Sequence, residues 1–296
     1  MSGVQNMDES SVDFGVPWHF GDPLREQRTL VGGAGRVDLS HLGVVTVTGA
    51  DRISWLHTLT TQEITDSTLS CQSLVLSPHG HIEHDLHVVN HDDVTYLVVE
   101  PGTTDALMAY LESMRFMLRV EVRDAGHDLA VVGAPGWLSH SGPVWHSPHA
   151  YLADGPVEYV LERPHPWQVS QLVVPRSELD VHVGQVRAGT WAWEALRIRA
   201  GVPRLGFETD HRTIPHELGL IAPAVHLNKG CYRGQETVAR VHNLGRPPRR
   251  LVQLELDGST NELPERGSDV LHDGQVIGRI TSVPGLRARS TGLGRD

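Results

Sequence analysis

Cysteine is nearly absent: the 296 residues contain two, Cys71 and Cys231. Two thiols so far apart in sequence make no disulfide framework. They point to a reducing compartment, so a cytoplasmic protein is expected. They also exclude an iron–sulfur cluster held by this chain alone, because such a cluster takes about four thiolates or a cysteine–histidine mixture. Positive charge is in deficit. The formal net charge of −11 argues against a broad nucleic-acid-binding face, although Arg and Lys gather locally over 229–250. No apolar run reaches the length of a membrane helix. The start, MSGVQNMDESSVDFG, is polar and acidic and has no basic stretch ahead of an apolar core, so no secretory leader is expected. No internal period is long enough for a repeat array.

What is present fits a globular protein: 39% hydrophobic and 21% charged residues. The length exceeds a usual single core of about 100–200 residues, so more than one packed unit is expected. Residues 1–35 are expected to be a loose leading segment. Its LVGGAGRVDLS stretch places Asp38 where a third dinucleotide-type glycine would stand, so it predicts a flexible turn and no phosphate cradle. GVVTVTG (43–49) alternates as a half-buried strand, and ADRISWLHTLTT as a helix. Residues 73–93 form a hairpin turning at Pro78 and Gly80. On its second arm His81, Glu83, Asp85 and His87 share one face, with His84 breaking the apolar face opposite. TTDALMAYLESMRFML is a helix capped by Thr103 or Thr104, with Leu107, Leu111, Met114 and Leu118 as its stripe. GTWAWEALRIRAGVPRLG (189–206) is a helix ending at Gly201. Residues 207–245, rich in Gly, Pro, His and Arg, have the composition of a binding loop. After GRPPRR, short strands with Asp-Gly turns indicate a small β-barrel or sandwich. The whole is α+β.

The stretch LNKGCYRGQET (227–237) is the densest in chemistry. Cys231 is either a small core residue or a reactive thiol. In the reactive reading Lys229 and Arg233 favour the thiolate, and Gly230 and Gly234 leave room for a ligand or partner. In the other reading both glycines serve a tight turn and the cations are solvated. The 19 histidines include His79, His81, His84, His87 and His91 around the hairpin. Their spacing gives no second matching ligand pair, so no metal site is expected. Asp85 is either a solvated strand acid or a carboxylate that accepts from a ligand nitrogen or moves a proton. Trp193 is either a core residue or a flat wall for an aromatic ligand. Glu217 and Glu236 are loop acids able to grip amino-pyrimidine nitrogens.

KGCYRGQE at 229–236 resembles the signature K-G-C-[YF]-x-G-Q-E of the YgfZ family of folate-binding proteins, relatives of the glycine-cleavage T protein (aminomethyltransferase). DLSHLGVVTVTGADRISWLHTLTTQEI, LSPHGHIEHDLHV, WEALRIRAGVPRLG, TIPHEL and GQVIGRITS resemble further segments of that family, so the likeness runs from about residue 36. It implies a ring of three subdomains around a central folate pocket. The division would be 1–35 as a flexible segment, 36–245 as the folate-binding region in two subdomains, and 246–296 as a C-terminal β-barrel. The barrel is expected to be incomplete, since PGLRARSTGLGRD reads as a Gly/Arg-rich tail. The resemblance also implies tetrahydrofolate, or a one-carbon derivative, as cofactor. It implies an accessory role in assembly or repair of iron–sulfur proteins, with such clients or assembly proteins as partners and with neither nucleic acid nor membrane. Folate-dependent aminomethyl transfer is the alternative. Cys231 and Lys229 match the functional pair of the signature. Trp193 sits where family members place a pterin-proximal tryptophan, whereas a second such aromatic is Leu42 here. Asp85 aligns with the acid that T proteins use near the folate nitrogen. Arg199 replaces the glutamate of the T-protein R-x-E-A-G helix. For a flat ring with an anionic tail, Trp193, Glu217 or Asp85, and one of Arg197, Arg204 or Arg240 are the expected contacts. Tyr232 joins this ligand-facing set.

Overall fold

A computed structural model describes residues 4–7, 9, 11–151, 165–256 and 263–283, and the backbone of 291–295. Two five-stranded sheets form its centre. The first runs Ser70–Leu76, Ile82–His91, Val94–Val99, Gly43–Thr48, Glu121–Asp124 across the sheet, antiparallel throughout. The second runs Val144–His146, Val169–Pro175, Leu129–Pro135, Arg36–Asp38, Arg187–Ala188, with only the last pair parallel. Their facing sides share one core. Val44, Leu74, Ile82 and Val98 of the first sheet meet Val131, Val169, Val173 and Trp145 of the second there, together with Trp191, Trp193 and Ile198 of the helix Thr190–Arg199. The outer side of the first sheet buries Val45, Val47, Leu86 and Leu97 against helices Arg52–Leu59 and Thr104–Met114. The outer side of the second packs on Val183 of a short helix, Leu179–Val183.

This layering changes several expectations. Gly43–Thr48 is a central strand, and Val44–Val47 are buried on both faces because each face has its own core. The Thr104–Met114 helix stops before Leu118, and its stripe is Leu107 and Leu111; Met114 and Leu118 lie exposed. The segment 207–245 carries a ten-residue helix, Gln235–Leu244, as well as loops.

The leading segment is stitched in, contrary to the loose reading of residues 1–35. Helix Pro23–Val31 starts with proline at its first position and with Asp22 Oδ1 accepting from Arg25 N at 3.0 Å. Glu26 accepts from the backbone N–H of Phe20 (2.8 Å) and of Gly189 (2.9 Å). A Cβ on Gly189 would lie 2.1 Å from the carbonyl of Trp18, so only glycine allows this approach.

The C-terminal part is an open four-stranded antiparallel sheet among the described residues, ordered Leu251–Glu255, Thr291–Arg295, Gln275–Ser282, Asp269–His272. No closed barrel is formed by these strands. Part of the expected tail, Thr291–Arg295, is an inner strand of this sheet; 284–290 and 296 lie outside the described residues. Asp273-Gly274 turns the hairpin with both residues at positive φ, as an Asp-Gly hairpin requires. The Asp-Gly at 257–258 lies outside the described residues.

Candidate functional site

Two cross-strand pairs face each other between the five-stranded sheets. Gln72 is paired with His87 in the first sheet, and Trp145 with Gln171 in the second. They interlock. The His87 ring stacks on Trp145 at 3.7 Å and 7°, and its Nδ1 donates to Gln171 Oε1 at 2.7 Å. Burial pulls the His87 pKa down to about 4, so the ring is neutral at physiological pH. Two positions back on the same face is Asp85. Gln72 Nε2 donates to both Asp85 oxygens at 2.9 Å, and Gln72 Oε1 accepts from the Tyr151 hydroxyl at 2.8 Å.

These groups line a small, partly enclosed cavity of about 70 Å³ that opens to solvent. Trp145, Tyr151, Trp167 and Trp193 supply flat walls, and Trp167 meets Trp193 edge-on at 5.0 Å. Asp85 lines this space. Burial pushes the Asp85 carboxyl up to about 7, against the lowering effect of the Gln72 hydrogen bonds. A carboxyl so placed can exchange a proton near neutrality.

One wall of the cavity is a buried charge network. Arg204 donates to Asp13 at 3.0 and 2.5 Å and to Glu100 at 2.7 Å. Arg197 donates to Glu194 at 2.8 and 3.0 Å and to Glu208 at 3.1 Å. Two guanidiniums are thus engaged by four carboxylates. Burial drives the Glu100 carboxyl above the usual range; Glu194, against the same burial, is held below it by Arg197 and Arg204.

Of the residues expected at a ligand site, Asp85, Trp193, Arg197 and Arg204 meet on this cavity. Arg197 serves its own carboxylates and is not a free cation for a ligand tail; Arg204 is likewise engaged. Glu217, Tyr232, Arg240, Lys229 and Cys231 do not line it. Glu217 is buried elsewhere and accepts from Arg249 at 2.9 and 3.1 Å. Arg240 lies exposed on the Gln235–Leu244 helix.

The signature loop is built for holding as much as for reacting. Lys229 is the only lysine in the chain. Its side chain is buried, and Nζ donates to the carbonyls of His57, Thr60 (2.6 Å) and Gln62 (2.9 Å). It thereby closes the C-terminal end of helix Arg52–Leu59, whose carbonyls lack partners within the helix. Burial lowers the Lys229 pKa to about 8. Tyr232 is buried, with Nζ of Lys229 at 5.4 Å from its ring centre. Gly234 has φ +83°, and a Cβ there would lie 2.6 Å from the Ser77 carbonyl and 2.9 Å from Gly80 Cα. This glycine is occupied by the hairpin tip and gives no access to the thiol. Gly230 faces open space. Arg233 pairs with Glu83 at 2.9 Å. Cys231 itself is exposed. Cys71 is the opposite case: burial pushes its thiol up to about 12. No group of three or more candidate metal ligands occurs among the described residues.

Sequence reasoning missed Gln72, Trp145, Tyr151, Trp167 and Gln171. The richness of a chain poor in aromatics in seven tryptophans was one available signal.

Residues 8–139 match the GCVT N-terminal domain. The match starts well before residue 36 and takes in the stitched leading segment. A chloroplastic protein of Arabidopsis thaliana named as a transferase is 28% identical, over 84% of this chain and 61% of its own length. This chain thus spans about three fifths of that relative. An aminomethyltransferase of Streptomyces avermitilis is 27% identical, over 90% of this chain and 78% of its own. The crystal structure of glycine cleavage system aminomethyltransferase T from Bartonella henselae superposes with a TM-score of 0.77 at 18% identity, covering 99% of this chain and 86% of that one. The fold is therefore shared with that aminomethyltransferase. No helix among the described residues is long and apolar enough to cross a membrane.

Proposed function

We propose that this protein binds tetrahydrofolate or a one-carbon derivative, with the pteridine ring in the cavity between the two sheets. We further propose that it acts as an accessory factor in assembly or repair of iron–sulfur proteins, with Cys231 as the thiol that meets its partners. The observation that carries the first part is Asp85, a carboxyl with a pKa of about 7 in a cavity walled by Trp145, Trp167 and Trp193. A flat ring bearing amide and amine nitrogens finds stacking surfaces there and a group that can accept or give a hydrogen bond. The residues present fit the ring. They do not fit an anionic tail inside the cavity, because Arg197 and Arg204 are already neutralised. When bound, a reduced folate supplies the one-carbon chemistry. The protein's share is to bind the ring, exclude water and hold a proton at Asp85. The support for the second part is the exposure of Cys231 on a loop pinned by Lys229 and Gly234, where a macromolecule can reach it.

A second reading, folate-dependent aminomethyl transfer, is supported by the names of the relatives and by the proton-exchanging character of Asp85. Two experiments test these readings, and the second separates them. Tryptophan fluorescence titrated with tetrahydrofolate should show saturable binding, weakened about tenfold or more in Trp193→Ala; unchanged binding removes Trp193 from the site. In a host lacking the protein, Cys231→Ser should fail to restore iron–sulfur enzyme activity while still binding folate. Full restoration by Cys231→Ser would sink the accessory role and leave the transferase reading.

A further inference from the structure

His87 and Gln171 both line the cavity, one from each five-stranded sheet. Trp145 covers one face of the His87 ring, stacked at 3.7 Å and 7°. Nδ1 of that ring meets Gln171 Oε1 at 2.7 Å. A carbonyl oxygen offers only lone pairs, so Nδ1 must carry the proton of this bond. With a pKa of about 4 the ring is neutral near pH 7, and its other nitrogen, Nε2, then holds a bare lone pair. Nε2 has no hydrogen-bond partner among the described residues. It is not among the unpaired side-chain atoms that the fold seals from solvent, which include Nδ1 of His41 and of His84. His87 as a whole is partly exposed. The acceptor is therefore open, on a residue of the cavity wall. Asp85 stands two residues back on the same face, about 7 Å away along the strand. Its carboxyl titrates near pH 7 and so alternates between donor and acceptor, whereas the lone pair of His87 stays free through that range.

We infer that Nε2 of His87 accepts a hydrogen bond from a ring N–H or amino group of the bound heterocycle, with Gln171 as the positioning residue that keeps this nitrogen bare, so that the site selects ligands bearing a donor there. This rests on the folate-binding reading above. The stack on Trp145 and the bond to Gln171 both hold the ring in place before a ligand arrives, so the acceptor is aimed in advance.

Long-range proton–nitrogen NMR correlation on the histidine-labelled full chain at about pH 8, above the usual histidine range, tests it, with tryptophan fluorescence in parallel. The resonances lost in His87→Phe assign the ring. In the free protein His87 should carry its proton on Nδ1 with Nε2 bare, and the Nε2 resonance should move on saturation with tetrahydrofolate. His87→Phe keeps a flat ring against Trp145 but has no acceptor, and should bind tetrahydrofolate about tenfold more weakly. Gln171→Leu frees Nδ1, so the proton should spread onto Nε2 and binding should weaken with it; a purely structural glutamine would leave the proton where it was. A proton on Nε2 in the free protein, which the amide turned over would produce, overturns the inference and leaves the folate reading standing. So does a fluorescence signal of binding with an unmoved Nε2, or wild-type affinity in His87→Phe. A proton that stays on Nδ1 in Gln171→Leu removes Gln171 from the positioning role. Absence of any saturable fluorescence change overturns the folate reading, and this inference with it.

Discussion

The cavity and the signature loop hold polar groups under opposite conditions. In the cavity, Asp85, His87 and Glu100 are drawn out of water, and burial moves their pKa values toward the neutral form. In the loop, Cys231 stays in water while its neighbours do structural work: Lys229 closes a helix end, and Gly234 seats against the hairpin tip. The difference teaches that a dense motif need not be a single reactive cluster. Here a rigid mount presents one thiol outward, and the tuned acid lies elsewhere.

The largest test of this contrast strikes the cavity. Asp85 has an ordinary value of 3.8 and a folded value of about 7. A pKa raised on folding stabilises the fold fully below 3.8 and loses that stabilisation as pH rises through about 7. Asp85→Asn does not titrate. Its stability relative to wild type should therefore improve between about pH 4 and pH 8, by at most about 4 kcal/mol. Urea unfolding at several pH values measures this; a pH-independent difference would place Asp85 in contact with water.

On the loop side, Lys229→Met leaves three carbonyls without their donor and should lower stability by about 3 kcal/mol at neutral pH. If unfolding by urea moves by less than about 0.5 kcal/mol, water replaces Lys229 at the helix end. Gly234→Ala meets both a positive φ and the Ser77 carbonyl and should cost about 2 kcal/mol; Gly230→Ala, in open space, should cost little. The smallest effect on the fold is that of Cys231→Ser, within about 0.5 kcal/mol. Iodoacetamide followed by mass spectrometry should label Cys231 well before Cys71, whose thiol burial keeps protonated. Equal, slow labelling of both would mean that the loop is covered.

Much of the fold was legible because local rules governed it. The hairpin around Gly80, the helix at Arg52–Leu59 and the Asp273-Gly274 turn all follow from period and turn chemistry. Trp193 and Asp85 stood out in the sequence, and both line the cavity. Their companions did not, because Gln72, Trp145, Tyr151 and Gln171 meet only once the two sheets face each other, and sequence spacing carries no trace of that. Arg197 and Glu217 were expected to be free to meet a ligand, and they are not, for a related reason. A sequence shows a charge but not its counter-charge, and Glu194, Glu208 and Arg249 had already claimed them. The strand Thr291–Arg295 was hidden by its glycines, which resemble those of a tail.

A crystal structure with reduced folate bound tests the central claim most directly. The account predicts the pteridine between the tryptophan walls, with a ring nitrogen within hydrogen-bond distance of Asp85 and Cys231 away from the ring. A pteridine seated on the KGCYRGQE loop, with the space beside Asp85 left to water, would contradict it.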